Sequence, residues 1–478
     1  MAASTTARRS LFRHPNFVRL WTAATVSLFG TQVSQIAIPF IAAVLLNASA
    51  GEVGLLTTIE FLPFLLFTLP AGVWVDRFPK QRILVIGDVG RAITLVSIPI
   101  AFAFNGLTIW QLYVVGFVNG LMTVFFDVAD QSYLPTILDR GDLVEGNSKL
   151  QVSQSSAQIL GQPLGGGIVA ILHAPVAVLV DAVSYLGSAA LILSIRVKAR
   201  GTAPAVGGGG PRGAVLATEA DDIAPAAPGG ASVAIEAAAA EASLTSGAGA
   251  LEAPAGIRRQ IMDGLNYIVR HEYLGNIAAT TALSNLFGNM GFAIFPVFAY
   301  KTLELTPAAV GTIGGLGGAG VLVAALIASR VQARFGVGRT IVLSAAAYGP
   351  IGLLLPLSTP ETAFWLLSVS FFLAGLNNVM YNIGQISLRQ AITPEHFLGR
   401  MNATMRFIVW GTIPIGSLIG AGLAEIVGVR TTILVSAVLA CGAFLPVLFS
   451  KVRTIQTIPT EVPEDVADRA GQDPAASA

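Results

Sequence analysis

Several titratable side chains interrupt long apolar runs in this chain: Glu60, Asp88, Arg91, Asp127, Asp130, Asp181 and Arg406. Their chemistry follows from that setting. A carboxyl stripped of water is suited to taking up a proton, and a carboxyl beside a base is suited to pairing with it. Glu60 is the leading candidate for proton uptake; a hydrogen-bonded structural acid is the competing reading. Asp88 and Arg91 stand three apart and so share one helix face. They read as a structural ion pair, shared with Asp76 or Asp127. Asp181 and Arg406 read as helix-packing or gating groups rather than binding groups.

Uncharged amides recur in the same runs: Gln32 and Gln35 beside Thr31, then Asn119, then Asn285 and Asn289, then Asn377, Asn378, Asn382 and Gln385. Singly, each is explained by a hydrogen bond between helices. Their concentration points to a polar cavity for a small molecule. Phe287, Phe292 and Tyr381 nearby would suit a large apolar one. Other chemistry is missing. No nucleophile, base and metal-ligand cluster marks an enzyme, and no phosphate-binding glycine loop marks an ATPase. His14, His173, His271 and His396 are scattered, so no metal or other cofactor is expected. Cys441 is alone and cannot form a disulfide within the chain. Gly315–Gly320 has the spacing of a dinucleotide loop, but it lies inside an apolar run with no strand before it, so close helix packing explains it.

The elements that carry these residues follow from composition. Of 478 residues, 54% are hydrophobic and 12% charged, against roughly 25% charged in a soluble domain. Mean hydropathy is +0.71. The net charge of +1 gives no reason to expect a nucleic acid partner; the partner is a lipid bilayer. A spanning helix needs about 20 apolar residues. Such runs occur at 18–46, 53–75, 82–104, 107–130, 148–172 and 174–196, and again at 276–300, 307–332, 338–357, 361–387, 401–424 and 428–450. The expected fold class is therefore all-α and membrane-spanning: twelve helices in two six-helix halves. The first run is too long for the core of a cleaved signal and reads as a retained span.

Lys and Arg set the orientation. Of the 28 basic residues, only Lys301 and Arg430 fall on one side; the loops of the other side hold Arg77, Lys80, Arg82, Arg334, Arg339 and Arg400 among others. Both termini are expected in the cytoplasm. The domain division is 1–197 for the first half, 198–256 for a disordered Ala/Gly/Pro-rich linker, 257–455 for an interfacial helix plus the second half, and 456–478 for a disordered tail. Within the linker, Val233–Leu244 could form a short helix.

The halves echo each other. Asp76-Arg77-Phe78-Pro79-Lys80-Gln81-Arg82 follows the second run, and Ala333-Arg334-Phe335-Gly336-Val337-Gly338-Arg339 follows the eighth. Pro163-Leu164-Gly165 is answered by Pro414-Ile415-Gly416. Internal repeats of this kind build many secondary transporters. The loop Gly72-x-x-x-Asp76-Arg77-x-x-Lys80-x-Arg82 resembles the loop signature of the major facilitator superfamily. With Asp88-Val89-Gly90-Arg91, Asp181-Ala182-Val183-Ser184-Tyr185, Ile392-Thr393-Pro394-Glu395-His396, Gly399-Arg400 and Asn402, the chain resembles the macrolide-efflux and enterobactin-exporter type within it. The resemblance implies a twelve-helix fold that alternates access. It also implies a proton as coupling ion, and a central cavity lined by the first, fourth, seventh and tenth spans, where the amides lie. It assigns Gly72, Asp76, Arg77, Lys80, Arg82, Asp88 and Arg91, with Arg334 and Arg339, to the gate. Two departures stand out. Gln162 splits the Gly-Pro pair that exporters carry in span 5. Ala333 takes the place of Asp76, so a gating contact there must be asymmetric.

The resulting expectation is a monomeric, proton-coupled exporter of drugs, siderophores or other small amphipathic molecules in the cell membrane. An importer of the same fold, or a receptor or scaffold without transport, is the alternative. Alkaline phosphatase, active only outside the cytoplasm, is expected to be inactive when fused after residue 455 and active when fused after Lys301; activity assays on the two fusions check the orientation.

Overall fold

The computed structural model describes residues 11–138, 142–196, 266–269, 271–393 and 395–457; helix positions 69, 72, 73, 76, 144, 395–400, 403 and 406 are described for their backbone alone. The expectations for the linker, for Val233–Leu244, for the interfacial stretch before 266 and for the tail beyond 457 fall outside these residues, as do those for the side chains of Asp76 and Arg406. Among the described residues twelve long helices follow in order: α1 Pro15–Phe40, α2 Ala50–Arg77, α3 Lys80–Ala103, α4 Ile109–Ile137, α5 Leu143–Leu172, α6 Ala174–Leu193, α7 Leu274–Phe292, α8 Pro307–Phe335, α9 Val337–Gly352, α10 Ala363–Ala391, α11 Glu395–Val427 and α12 Val429–Ala440.

A helix starts well where a side chain can serve its first unpaired N–H groups. Ser49 and Glu52 form a reciprocal capping box on α2, with Ser49 N donating to Glu52 Oε2 at 2.8 Å and Glu52 N to Ser49 Oγ at 3.2 Å. Thr108 caps α4, and Thr306 caps α8 with Pro307 at its first position. Ten helical segments are long and apolar enough to cross a bilayer. The other two helices are α5, where Gln158, Gln162, Gly161 and Gly165–Gly167 dilute the apolar run, and α9, which has only 16 residues before the chain turns. Most helices also overrun their apolar stretches. α4 reaches Ile137 rather than 130 and α11 begins at Glu395 rather than 401, because hydrogen bonding continues past the point where hydropathy falls.

The repeat runs deeper than the matched motifs. α1 continues into a π-helical turn, Ile41–Leu45, and α7 leads, through a short helical stretch, into another, Phe298–Thr302. Each is followed by a leucine (46 or 303), a left-handed residue (Asn47 at φ 50°, Glu304 at φ 54°), an apolar residue and the hydroxyl that caps the next helix. The wide-turn bonds match as well: Leu46 N to Ile41 O and Leu303 N to Phe298 O, both 2.9 Å. Helix neighbours repeat too. The pairs α1·α6, α2·α4, α3·α6, α1·α5 and α3·α4 recur as α7·α12, α8·α10, α9·α12, α7·α11 and α9·α10. Two further pairs, α2·α11 and α5·α8, join the halves, and the same exchange of halves turns one into the other.

The cores are distributed unevenly. At the end carrying the α1–α2 and α7–α8 turns, both halves share one core, which runs from Val33, Ile41 and Leu56 to Ile294, Phe298 and Leu367. At the opposite end each half keeps its own. Phe17, Leu84 and Tyr133 belong to one, and Leu274, Ile341 and Met405 to the other.

A single residue joins α5 to α6 and another joins α11 to α12, both with positive φ: His173 at φ 63° and Gly428 at φ 84°. With ψ of 144° and 159° both sit in a region that suits glycine alone. The first half therefore carries strain that the second avoids. His173→Gly is expected to stabilise the protein by about 1 kcal/mol, read as a higher midpoint in thermal unfolding followed by tryptophan fluorescence in detergent.

Candidate functional site

Lipid tails are as apolar as leucine, so helices in a bilayer are held by close backbone approach and hydrogen bonds. Both contacts between the halves follow that rule. On α5·α8, a Cβ on Gly311 would sit on the Gln162 carbonyl, one on Gly166 on the Pro307 carbonyl, and one on Gly318 at 2.9 Å from Ile159 Cγ1. The dinucleotide-like glycines are thus a packing surface: Gly315 faces Pro163, and Gly320 faces the Phe372 carbonyl of α10. Gln162, which breaks the Gly-Pro pair, lies in the same contact, with its amide against Gly314. On α2·α11, a Cβ on Gly54 would lie 2.7 Å from Ala421 Cβ, and Phe64 packs on Trp410 with ring centroids 4.3 Å apart.

Charged side chains of the second half complete the sealed end. Glu425 Oε1 accepts from Gly51 N at 2.6 Å, at the positive end of α2. Lys301 Nζ donates to Asn47 Oδ1 at 2.7 Å and to the Ala48 carbonyl at 2.9 Å. Both grip the α1–α2 turn of the first half. Arg430, the other base assigned to this side, donates to the Pro356 carbonyl at 3.0 Å.

Glu60 lies one turn before Phe64 on α2. Its carbonyl lies where a Cβ on Gly120 of α4 would fall, and its side chain is exposed rather than packed. It occupies the stretch of α2 between the shared core and the separate cores.

A second polar group is buried inside the first half. Arg91 Nη2 and Asp88 Oδ1 are 2.6 Å apart, and the guanidinium is sandwiched between the rings of Phe126 and Tyr185, each 4.3 Å away. Asp127 reaches Arg91 electrostatically from α4. Asp181 of α6, 1% exposed, is part of the same group, and nothing in its sequence position announced that.

The basic loops lie at the end with separate cores. Arg77 and Arg82 are exposed, as are Arg334 and Arg339. The residue between them that sequence reasoning passed over is Gln81. Its Nε2 donates to the Ile192 and Ile195 carbonyls at 2.8 and 2.9 Å and ties the loop to the end of α6, where orphan carbonyls await donors. The second half makes the corresponding tie through backbone, Gly338 N to Ile455 O at 2.9 Å.

The amides divide by surroundings. Gln35 is exposed, whereas Gln32 is buried against Gly161 of α5. Asn119 donates to Thr94 Oγ1 at 2.8 Å, from α4 to α3. Asn289 donates to the Asn285 carbonyl at 2.8 Å. On α10 the amides form a ladder: Asn382 Nδ2 to Asn378 Oδ1 at 3.0 Å and Gln385 Nε2 to Asn382 Oδ1 at 3.2 Å. Asn377, Asn382 and Gln385 are all buried.

Two related six-helix bundles, joined along two helix pairs, are the build of a secondary transporter, a multi-pass membrane protein and not an enzyme. The family model described as Major Facilitator Superfamily matches residues 20–220 and 277–476, and the chain belongs to that family. It is similar to macrolide efflux protein A of Streptococcus pyogenes, 20% identical over 92% of this chain and 97% of that protein. It is also similar to the MFS-type transporter YfiS of Bacillus subtilis, 26% identical; that match spans 39% of this chain and only 42% of YfiS. Its fold is that of a bacterial homologue of the iron transporter ferroportin solved in its inward-facing state. The TM-score is 0.63 at 14% identity, covering 91% of this chain and 99% of the other. The resemblance to the macrolide-efflux type is thus met by a relative of that kind.

Gly311→Val forces a branched side chain into the Gln162 carbonyl. It is expected to open the sealed end at a cost of about 1–3 kcal/mol; faster reaction of a cysteine introduced by Ala421→Cys with a membrane-impermeant maleimide checks it.

Proposed function

We propose that the protein is a proton-coupled exporter of small amphipathic molecules, drugs or siderophores among them, working as a monomer in the cell membrane with both termini cytoplasmic. The observation that carries this is the uneven core: one core shared at the end of the α1–α2 turn, two separate cores at the end of the termini, with Glu60 between. In the proposed topology this is the inward-facing state, ready to receive cargo from the cytoplasm. Residues 1–197 then rock against 276–455 around the midplane, exchanging the seal of Gly54, Gly166 and Gly311 for one at the other end. There Asp76, Arg77, Lys80 and Arg82, with Arg334 and Arg339, would form the closing contacts.

Glu60 is the proposed coupling carboxyl. Its exposed side chain can exchange a proton with water when the space around it is open, and its place one turn before Phe64, which packs on Trp410 of α11, puts it near a contact between the halves. The amides of α1, α4, α7 and α10, with Phe287, Phe292 and Tyr381, are the proposed cargo contacts in states where they face the cavity. The macrolide efflux relative supports outward transport.

The test is a susceptibility and accumulation panel in cells with and without the protein. Lower accumulation of at least one macrolide, dye or siderophore is expected, and an uncoupler is expected to abolish the difference. Higher accumulation would make the protein an importer, and no change for any compound would favour a receptor. Glu60→Gln is expected to abolish uncoupler-sensitive export at equal expression; unchanged export and pH dependence in that variant would end the role of Glu60.

A further inference from the structure

The buried group at the α1–α3–α6 contact holds more acid than base. Asp88 and Asp181 are 0% and 1% exposed, and the base packed with them, Arg91, is committed to Asp88 at 2.6 Å. A second ionised carboxylate here would have to share that guanidinium with Asp88, and a buried carboxylate without a base of its own is costly. The hydrogen bonds of Asp181 identify which carboxyl avoids that cost. Ser184 Oγ lies 2.7 Å from the Asp181 carbonyl and 3.2 Å from Asp181 Oδ1. A hydroxyl has one proton to give, and the shorter bond takes it. Oδ1 is left with at most a weak share of that proton at 3.2 Å, so an ionised Asp181 would be poorly served by donors. Ser34 and Ser188, both buried, stand beside Asp181 and Asp88 without a hydrogen bond of good geometry, so the surroundings have spare polar capacity.

Among the described residues, α3 and α6 supply the charged and titratable groups that face Asp181 directly. α3 contributes Asp88 and Arg91, α6 itself contributes Tyr185, and Asp127 of α4 acts through Arg91. α1 contributes the hydroxyls of Thr31, which meets Tyr185 Oη at 2.9 Å, and Ser34. Gly30 of α1 closes the site: a Cβ there would lie 2.8 Å from Asp181 Oδ1 and collide with Ser184 Oγ. α1 also carries Val33, Ile36 and Ile41 into the shared core. A shift of α1 that dissolves the shared core would therefore lift Gly30 off Asp181 and admit water.

We propose that Asp181 is a second proton site of the transporter, holding its proton while the α1–α2 turn end is sealed and releasing it to water when α1 moves away. The proposal rests on the proton-coupled reading above. Infrared spectroscopy of the purified full chain in liposomes tests it without any cargo. The carbonyl band of a protonated carboxyl at neutral pH is expected in the wild type and in Glu60→Gln, and its loss is expected in Asp181→Asn. An Asp181→Asn spectrum identical to the wild type's overturns the proposal. Should Asp181→Asn fail to fold, Ser184→Ala serves. It keeps the carboxyl and removes the hydroxyl 3.2 Å from Oδ1, so the band is expected to move, and an unmoved band overturns the assignment. Joining Asn47→Cys to Lys301→Cys with a bis-maleimide tests the link to conformation. The band is expected to persist at alkaline pH in the bridged protein and to titrate away in the unbridged one; identical titration in both overturns it. Uncoupler-insensitive export with the band intact would sink the proton-coupled reading alone.

Discussion

Backbone polar groups cannot be left unpaired in hydrocarbon, so each span must be a helix, and the helices must then find a reason to associate that burying oil against oil does not supply. In this protein the reason is close approach at small residues. Gly54, Gly166, Gly311, Gly315 and Gly318 let the halves touch along α2·α11 and α5·α8, and Gly30 does the same for α1 on α6. Such contacts are exacting over short distances and contribute little at long range. A surface of this sort can be made and unmade as a unit, which is what a transporter needs at its gate.

The spans were legible because hydropathy alone decides which segments enter lipid, and the Asp88–Arg91 pair because three residues is a local spacing. The gate contacts were not. Nothing in Gly311 or Gln162 taken singly reveals that they meet, and the loop between α2 and α3 drew attention to its charges while Gln81 made its hydrogen bonds to α6. An amide in an apolar run is equally compatible with a cavity and with a neighbouring helix. Periodicity could not separate exposed Gln35 from buried Gln32, nor foresee the ladder through Asn378, Asn382 and Gln385. Asp181 was visible as a charge out of place, but its companions come from two other helices.

The halves share a plan and divide the labour. Their principal helix neighbours and their π-helical turns correspond, yet the buried Asp88–Arg91–Asp181 group belongs to the first half. The charges that hold the sealed end, Lys301 and Glu425, belong to the second. Backbone geometry tolerates duplication well, because it depends on helix packing that any small residue can satisfy. Side-chain chemistry diverges freely once each half needs to supply it only once.

The connections set the mechanics of the whole. Single residues, His173, Gly336 and Gly428, join α5 to α6, α8 to α9 and α11 to α12. Helices so joined are hinged at a fixed point and have almost no freedom to slide past each other there, so motion within a half falls to helices in contact without such a joint, as α1 and α6 are.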